Sequence, residues 1–199
     1  DAVIEAFIGD ASLHDSQREV LDMLDRGESV LAIMATGRGK SLTFHVHAAC
    51  TALLRHQVSL FVYPLRALIA DQAFHISEVL ESFGISSAVL TGESTPEERR
   101  HIFAGILDGS CDIVLTTPEF LSFHAEEFAR TGRIGFVVVD EAHHIGLAKA
   151  GNRTVYAHLG ESIASLGDPI VLALTATAKT QIAEEITSTL GISHQVFDE

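Results

Sequence analysis

Positive charge and cysteine are both scarce in this chain. Thirteen lysines and arginines stand against 27 acids, a formal net charge of −14. That balance excludes a broadly basic surface of the kind that coats nucleic acid, though not a local phosphate-contacting face. Only Cys50 and Cys111 occur, too few for a disulfide scaffold and without metal-ligand spacing, so a reduced, cytoplasmic setting is expected. No stretch approaches the roughly 20 apolar residues of a membrane span, so no membrane partner is expected. The N-terminus lacks a basic segment followed by an apolar core, and no secretion signal is expected. Internal repeats, low-complexity tracts and internal linkers are absent, and the eleven histidines are scattered without pattern.

What is present suits one well-packed domain: 199 residues, 47% of them hydrophobic. The chain starts abruptly at Asp1 and stops at Glu199 after a strand-like run, so residues 1–199 are expected to be a domain excised from something larger. Apolar runs of strand length alternate with helical patterns. Strands are expected over 29–34, 57–63, 85–90, 112–116, 135–139, 170–174 and 194–197. Helices are expected over 15–26, 41–54 and 66–83, from a cap at Ser94 or Thr95 to about 107, from Pro118 onward, near 156–166, and over 178–190. Residues 1–14 give no clear pattern, and a loop containing Gly146 and Gly151 is expected after the fifth strand. Strands apolar on both faces, alternating with helices, predict an α/β fold whose parallel sheet is covered on each side.

In such a sheet ligands gather at the carboxyl ends of the strands, and the polar clusters of this chain sit there. After the first strand comes Met34-Ala35-Thr36-Gly37-Arg38-Gly39-Lys40-Ser41-Leu42, a glycine turn that runs into a helix. Backbone N–H groups of such a turn form an anion nest, reinforced by the helix dipole. Gly37 and Gly39 permit close approach of the backbone, Lys40 can reach β/γ-phosphates, and the Ser41 hydroxyl can ligate Mg²⁺. The general phosphate-loop pattern places glycine where this chain has Met34. One hundred residues after Lys40, Asp140-Glu141 closes the most apolar run. Acids at the end of a buried strand need a cation or donor to offset desolvation. Beside a phosphate loop that cation is Mg²⁺, held by Asp140, while Glu141 orients or deprotonates a water.

Over about 8–178 the chain resembles the first RecA-like domain of superfamily 2 (DEAD/DEAH-type) helicases, most closely the RecQ-type DNA helicases. The resemblance implies a three-layer RecA-like P-loop NTPase with a central, mostly parallel sheet. The stretch from Met34 to Ser41 resembles the family's Walker A, which also tolerates Met in place of the first glycine. Thr36, Gly37, Arg38, Gly39, Lys40, Ser41 and Leu42 would then line ATP and Mg²⁺. Gln17, 23 residues before Lys40, matches the adenine-recognising glutamine, and an amide can read an adenine edge with one acceptor and two donors. Ile8-Gly9 and Leu13-His14 depart from the family's aromatic-Gly and Phe-Arg. Pro64 and Arg66, and then Thr117 and Pro118, resemble motifs that contact a nucleic-acid backbone without reading sequence. Asp140-Glu141-Ala142-His143 resembles the Walker B box. His143 would link the nucleotide to Thr175 and Thr177 of a coupling motif.

The loop after that box departs from its family. RecQ-type proteins carry there an aromatic-rich loop that senses DNA. Arg153 and Tyr156 match an Arg and an aromatic of that loop, but 146–151 contain no aromatic and the whole chain no tryptophan. The resemblance implies an ATP hydrolase and helicase motor acting on single-stranded DNA in repair or recombination. A second RecA-like domain, lying outside 1–199, would supply an arginine finger, so this domain alone is expected to hydrolyse ATP poorly. The competing readings are a P-loop kinase or metabolic ATPase, and a non-translocating ATP switch or DNA-binding accessory module fused to another enzyme such as a nuclease.

Overall fold

A computed structural model describes residues 2–9, 12–35, 37, 39–64, 66–148, 156, 158–177 and 179–198. Its centre is a seven-stranded sheet: β1 (Val30–Met34), β2 (Val58–Val62), β3 (Ser87–Leu90), β4 (Ile113–Thr116), β5 (Ile134–Val139), β6 (Ile170–Thr175) and β7 (His194–Asp198). The spatial order is β3-β4-β2-β5-β6-β1-β7. Every pairing is parallel, so the sheet goes beyond the mostly parallel one expected. All carboxyl ends therefore lie along one edge.

Helices α1 (Ala2–Ile8), α2 (Asp15–Asp25), α3 (Lys40–Arg55) and α4 (Arg66–Leu80) cover one face. There Val20, Leu24, Phe44, Ala48, Ile69 and Ile76 pack on Ala32, Met34, Phe61, Phe136, Val138 and Leu174. The other face carries α5 (Pro96–Asp108), α6 (Pro118–Thr131), α7 (His143–Ala148), α8 (Leu159–Ala164) and α9 (Thr180–Leu190). Ile106, Phe128, Ile145, Ile163 and Ile186 there meet Leu31, Leu60, Val114, Val137 and Ala173. Successive residues of the inner strands feed opposite clusters, as the two-residue period of a strand requires. The result is three layers.

The helix starts follow from local chemistry. Thr95 accepts from the Glu98 N–H while the Glu98 carboxylate accepts from the Thr95 N–H, with Pro96 at the first helical position. Thr117 caps α6 in the same way through Phe120 N–H. Two expectations are corrected. Part of the unassigned N-terminal segment is helix α1, whose Phe7 ring stacks on Phe83 at 4.7 Å. Gly146 sits inside helix α7 rather than in a loop, because Ile145 is drawn into the core and a Cβ at 146 would crowd Ile182 on α9. Among the described residues, no helix is long and apolar enough to cross a membrane.

The strand order matters for chemistry. β5, β6 and β1 are consecutive neighbours, which brings the turns after residues 139, 175 and 34 together. The turns after β2, β4 and β3 form the other half of the same edge.

Candidate nucleotide site and the carboxyl edge of the sheet

The glycine turn has left-handed backbone at Gly37 (φ 83°) and Gly39 (φ 68°), a region that L side chains enter only at a cost. Gly39 caps α3, and Lys40, half-buried, opens that helix with Ser41 exposed beside it. The first turn is tightened by Leu42 N–H donating to the Gly39 carbonyl (3.1 Å) and the Thr43 hydroxyl donating to that of Lys40 (2.7 Å). Met34 occupies the first-glycine position as the last residue of β1, with its side chain wholly buried. That position belongs to the strand and the core, which is why a large apolar residue fits it. Leu42 turns its side chain to Leu13, Leu21 and Val46 and supports the turn from behind. Thr36 and Arg38 lie outside the described residues.

Gln17 is buried on α2 and bridges two backbones. It accepts from His14 N–H (2.9 Å) and donates through Nε2 to the Gly39 carbonyl (3.2 Å). A Cβ on Gly39 would come within 2.6 Å of that Nε2. One residue earlier, the Ser16 hydroxyl donates to the Asp198 carboxylate at the end of β7 (2.7 Å), and Ala35 N–H donates to the Asp198 carbonyl. Ser16 and Asp198 went unnoticed in the sequence; at 182 residues apart, they leave no local pattern to find.

The acidic cluster meets this turn across β6. Asp140 N–H donates to the Val62 carbonyl and Ala142 N–H to that of Leu174, pinning both ends of the bend between β2 and β6. Between them Glu141 is held at φ 49°. A non-glycine residue in this region costs about 1–3 kcal/mol and persists only where its surroundings over-determine it. Burial pushes the Asp140 carboxyl above the usual range, partly offset by the hydrogen bond from Glu141 N–H (2.9 Å). The negative charge of Glu141 raises it further, and the Lys40 ammonium acts the other way. Tyr63 closes the region from below: its ring is buried, and its hydroxyl has no hydrogen-bond partner among the described residues. Burial first, and the Asp140 charge second, push that phenol well up.

His143 Nδ1 lies 3.2 Å from both Glu141 Oε2 and Thr175 Oγ1. With its proton on Nδ1, the ring donates toward both oxygens. The Thr175 hydroxyl then donates to the Thr177 carbonyl (3.0 Å). A hydrogen-bonded chain therefore links Glu141, His143, Thr175 and Thr177, with His143 donating outward both to Glu141 and to Thr175. Thr175 is fully buried and Thr177 exposed, so the chain leads from the acidic bend out to the surface.

On the other half of the edge, Pro64 is buried at the end of β2, and Arg66 is the first residue of α4, its side chain outside the described residues. Thr117 and Pro118 are buried, and the Thr117 hydroxyl is engaged as the α6 cap. Tyr156, expected as a nucleic-acid contact, lies inside the core. It is 1% exposed, sits in the core with Leu159 and Ile163, and its ring lies 5.8 Å from that of His144. Burying an aromatic of that size outweighs leaving it in solvent as a platform. Arg153 lies outside the described residues.

The sequence profile of the DEAD/DEAH box helicase family matches residues 14–186. The chain is 28% identical over 194 residues to the ATP-dependent DNA helicase RecQ of Haemophilus influenzae, covering 97% of this chain and 30% of that protein. It is 30% identical over 189 residues to the ATP-dependent helicase SGS1 of Saccharomyces cerevisiae, covering 92% of this chain and 13% of that one. The chain thus spans less than a third of the length of either relative. Among solved structures, the DUF1998 helicase MrfA bound to DNA superposes over the whole chain and 28% of its own, with a TM-score of 0.79 at 23% identity. At that identity the likeness is one of fold.

Proposed function

The chain belongs to the DEAD/DEAH box helicase family; from that premise we propose that it is the ATP-binding RecA-like domain of a RecQ-type DNA helicase motor acting in repair or recombination. One observation carries the reading: β1, β6 and β5, adjacent in space, bring the glycine turn, the Thr175–Thr177 turn and the Asp140–His143 bend to one edge. A phosphate-binding nest, a desolvated carboxylate needing a cation and a relay leading away from both are the parts of an NTP-driven device.

In this reading Lys40 and the N–H groups around Gly37 and Gly39 hold the phosphates, and Gln17 presents its amide to the adenine. The residues present fit Mg²⁺. Asp140 is a carboxylate whose burial is only partly offset, Ser41 is exposed at the helix start, and no group of three or more His, Cys, Asp or Glu side chains that could hold a metal occurs among the described residues. Mg²⁺ is ordinarily held by one or two protein oxygens together with phosphates and water. When bound, the ion neutralises charge developing between the β- and γ-phosphates. Glu141 takes the proton of the attacking water. His143, within 3.2 Å of both Glu141 and Thr175, ties the position of that carboxylate to the Thr175–Thr177 turn. A second RecA-like domain in the parent protein would face this edge and bring an arginine to the phosphates. The strand would be single-stranded DNA, its phosphates met by the helix starts after Pro64 and Thr117. Free thiols at Cys50 and Cys111 support a cytoplasmic setting.

The test is a pair of variants. Lys40→Ala should weaken Mg-ATP binding in calorimetry without unfolding the chain. Glu141→Gln should retain binding while DNA-stimulated turnover of the full-length protein collapses by orders of magnitude. Unchanged affinity in the first, or near-parent turnover in the second, refutes the assigned roles. ATP binding with turnover indifferent to DNA would leave a switch rather than a motor.

A further inference from the structure

A second feature of the same edge has no part in nucleotide chemistry. Phe123, on α6, is 85% exposed, the most exposed large apolar side chain among the described residues. A lone exposed phenylalanine signifies little; its surroundings do. Beside it opens a pocket of about 270 Å³, lined by Gly92, Arg99, Thr117, Phe120 and His124 as well as Phe123 itself. The turn containing Gly92 follows β3, and Thr117 follows β4, so the pocket lies at the carboxyl edge and continues the helix start proposed above to meet phosphates.

The pocket holds one guanidinium whose position is fixed by its own contacts. The Arg99 guanidinium donates to the carbonyls of Ser94 (3.0 Å) and Gly92 (3.4 Å) and lies 5.3 Å from the centre of the Phe120 ring. His124 stacks on that ring at 4.2 Å and 23°. At His124 the backbone leaves helical values (φ −118°, ψ 15°), so α6 kinks directly after Phe123. Phe120 and His124, four residues apart, share the inward stack; Phe123 falls one step round the helix and faces water. Arg99 lines this pocket, in a chain that holds only 13 lysines and arginines. Acids also stand close by: Glu127 bonds the His124 ring (2.6 Å) and Glu98 the Thr95 N–H (2.6 Å). Glu119 remains on the rim.

A flat uncovered ring beside a fixed guanidinium, at the end of a run of helix starts, suits a chain of alternating phosphates and aromatic bases. We propose that Phe123 is a base-stacking platform for a single nucleic-acid strand whose phosphates pass Thr117 and Arg99. This rests on the nucleic-acid reading above and adds to it a contact made to a base rather than to the backbone. Stacking on an aromatic tolerates any base, so the site would grip without selecting sequence.

The absence of tryptophan makes the test direct. Phe123→Trp introduces the chain's single indole. Its emission should be quenched by an oligothymidylate but not by an abasic strand of the same length and charge, because only the former has a base to stack. Phe123→Ala should weaken binding of the oligothymidylate by about 5- to 100-fold, the range of one base–aromatic stack, and leave the abasic strand unchanged. At an exposed position neither variant threatens the fold, which circular dichroism checks. If the parent binds both strands and neither variant alters affinity or emission, the platform is refuted while the nucleic-acid reading stands. If the parent binds neither strand, both fall. If Phe123→Ala changes only self-association in light scattering, the ring belongs to a protein interface and the proposal is overturned.

Discussion

Gly39 is the position at which one added methyl group should be felt both in the fold and in the nucleotide site. Its φ of 68° puts an alanine in the left-handed region, at a cost of about 1–2 kcal/mol. The new Cβ would also fall 2.6 Å from Gln17 Nε2, closer than real contacts allow. Gln17 must then withdraw and give up its bond to the Gly39 carbonyl, a net loss of about 0.5–1.5 kcal/mol. Gly39→Ala should therefore destabilise the chain by about 2–3 kcal/mol, or roughly 4–12 °C in Tm for a domain of this size. Two contributions of different origin can be separated by a double-mutant cycle in urea. In a Gln17→Ala background the clash has no partner and only the backbone cost remains, so Gly39→Ala should cost about 1 kcal/mol less there than in the parent. The same cycle read as ATP affinity should show coupling, because Gln17 braces the turn proposed to hold the phosphates. Strict additivity of the two substitutions in both readouts would refute the contact and the argument built on it.

Asp140→Asn should stabilise the chain while impairing it. Burial raises this carboxyl above its ordinary value, so between the two values the folded chain binds more protons than the unfolded chain, and stability falls as pH rises through the folded value. Above the folded value that penalty is present in full; the amide removes it and can still accept from Glu141 N–H. Tm measured against pH should show a gain at pH 7 that shrinks on acidification, with Mg²⁺-dependent nucleotide affinity reduced; a loss of stability at pH 7 would contradict the account. Tyr156→Ala should unfold rather than unbind, since it removes a ring that is 1% exposed, at about 3–5 kcal/mol. Denaturation should register that cost, and strand affinity per folded molecule should stay at the parent level; loss of binding without loss of stability would restore Tyr156 as a contact.

Much of the architecture was legible in local sequence because its causes are local. A two-residue apolar period makes strands, proline after Ser/Thr starts α5 and α6, and glycine allows the left-handed backbone after β1. The seven strand positions, the glycine turn and the acidic pair all follow from interactions within a few residues. Failures came where a distant partner decided. Residues 143–148 became helix because Ile145 joins the core and Gly146 lies against Ile182. The burial of Tyr156, polar-tipped and ambiguous in sequence, was likewise set by that core.

The chain's pattern alone thus determined which residues are candidates for phosphate and acid–base chemistry, and that they end strands. Only the tertiary structure decided which of those strand ends are neighbours. Lys40, Asp140 and Thr175 meet because β5, β6 and β1 pair in that order, and the pairing order reflects how both sheet faces are covered, not any single segment. The hydrogen bonds from Gln17 to Gly39, from His143 to Thr175 and from Ser16 to Asp198 span 22, 32 and 182 residues. Such contacts form only after chain entropy has been overcome by burial elsewhere, which is why no window of sequence contains them.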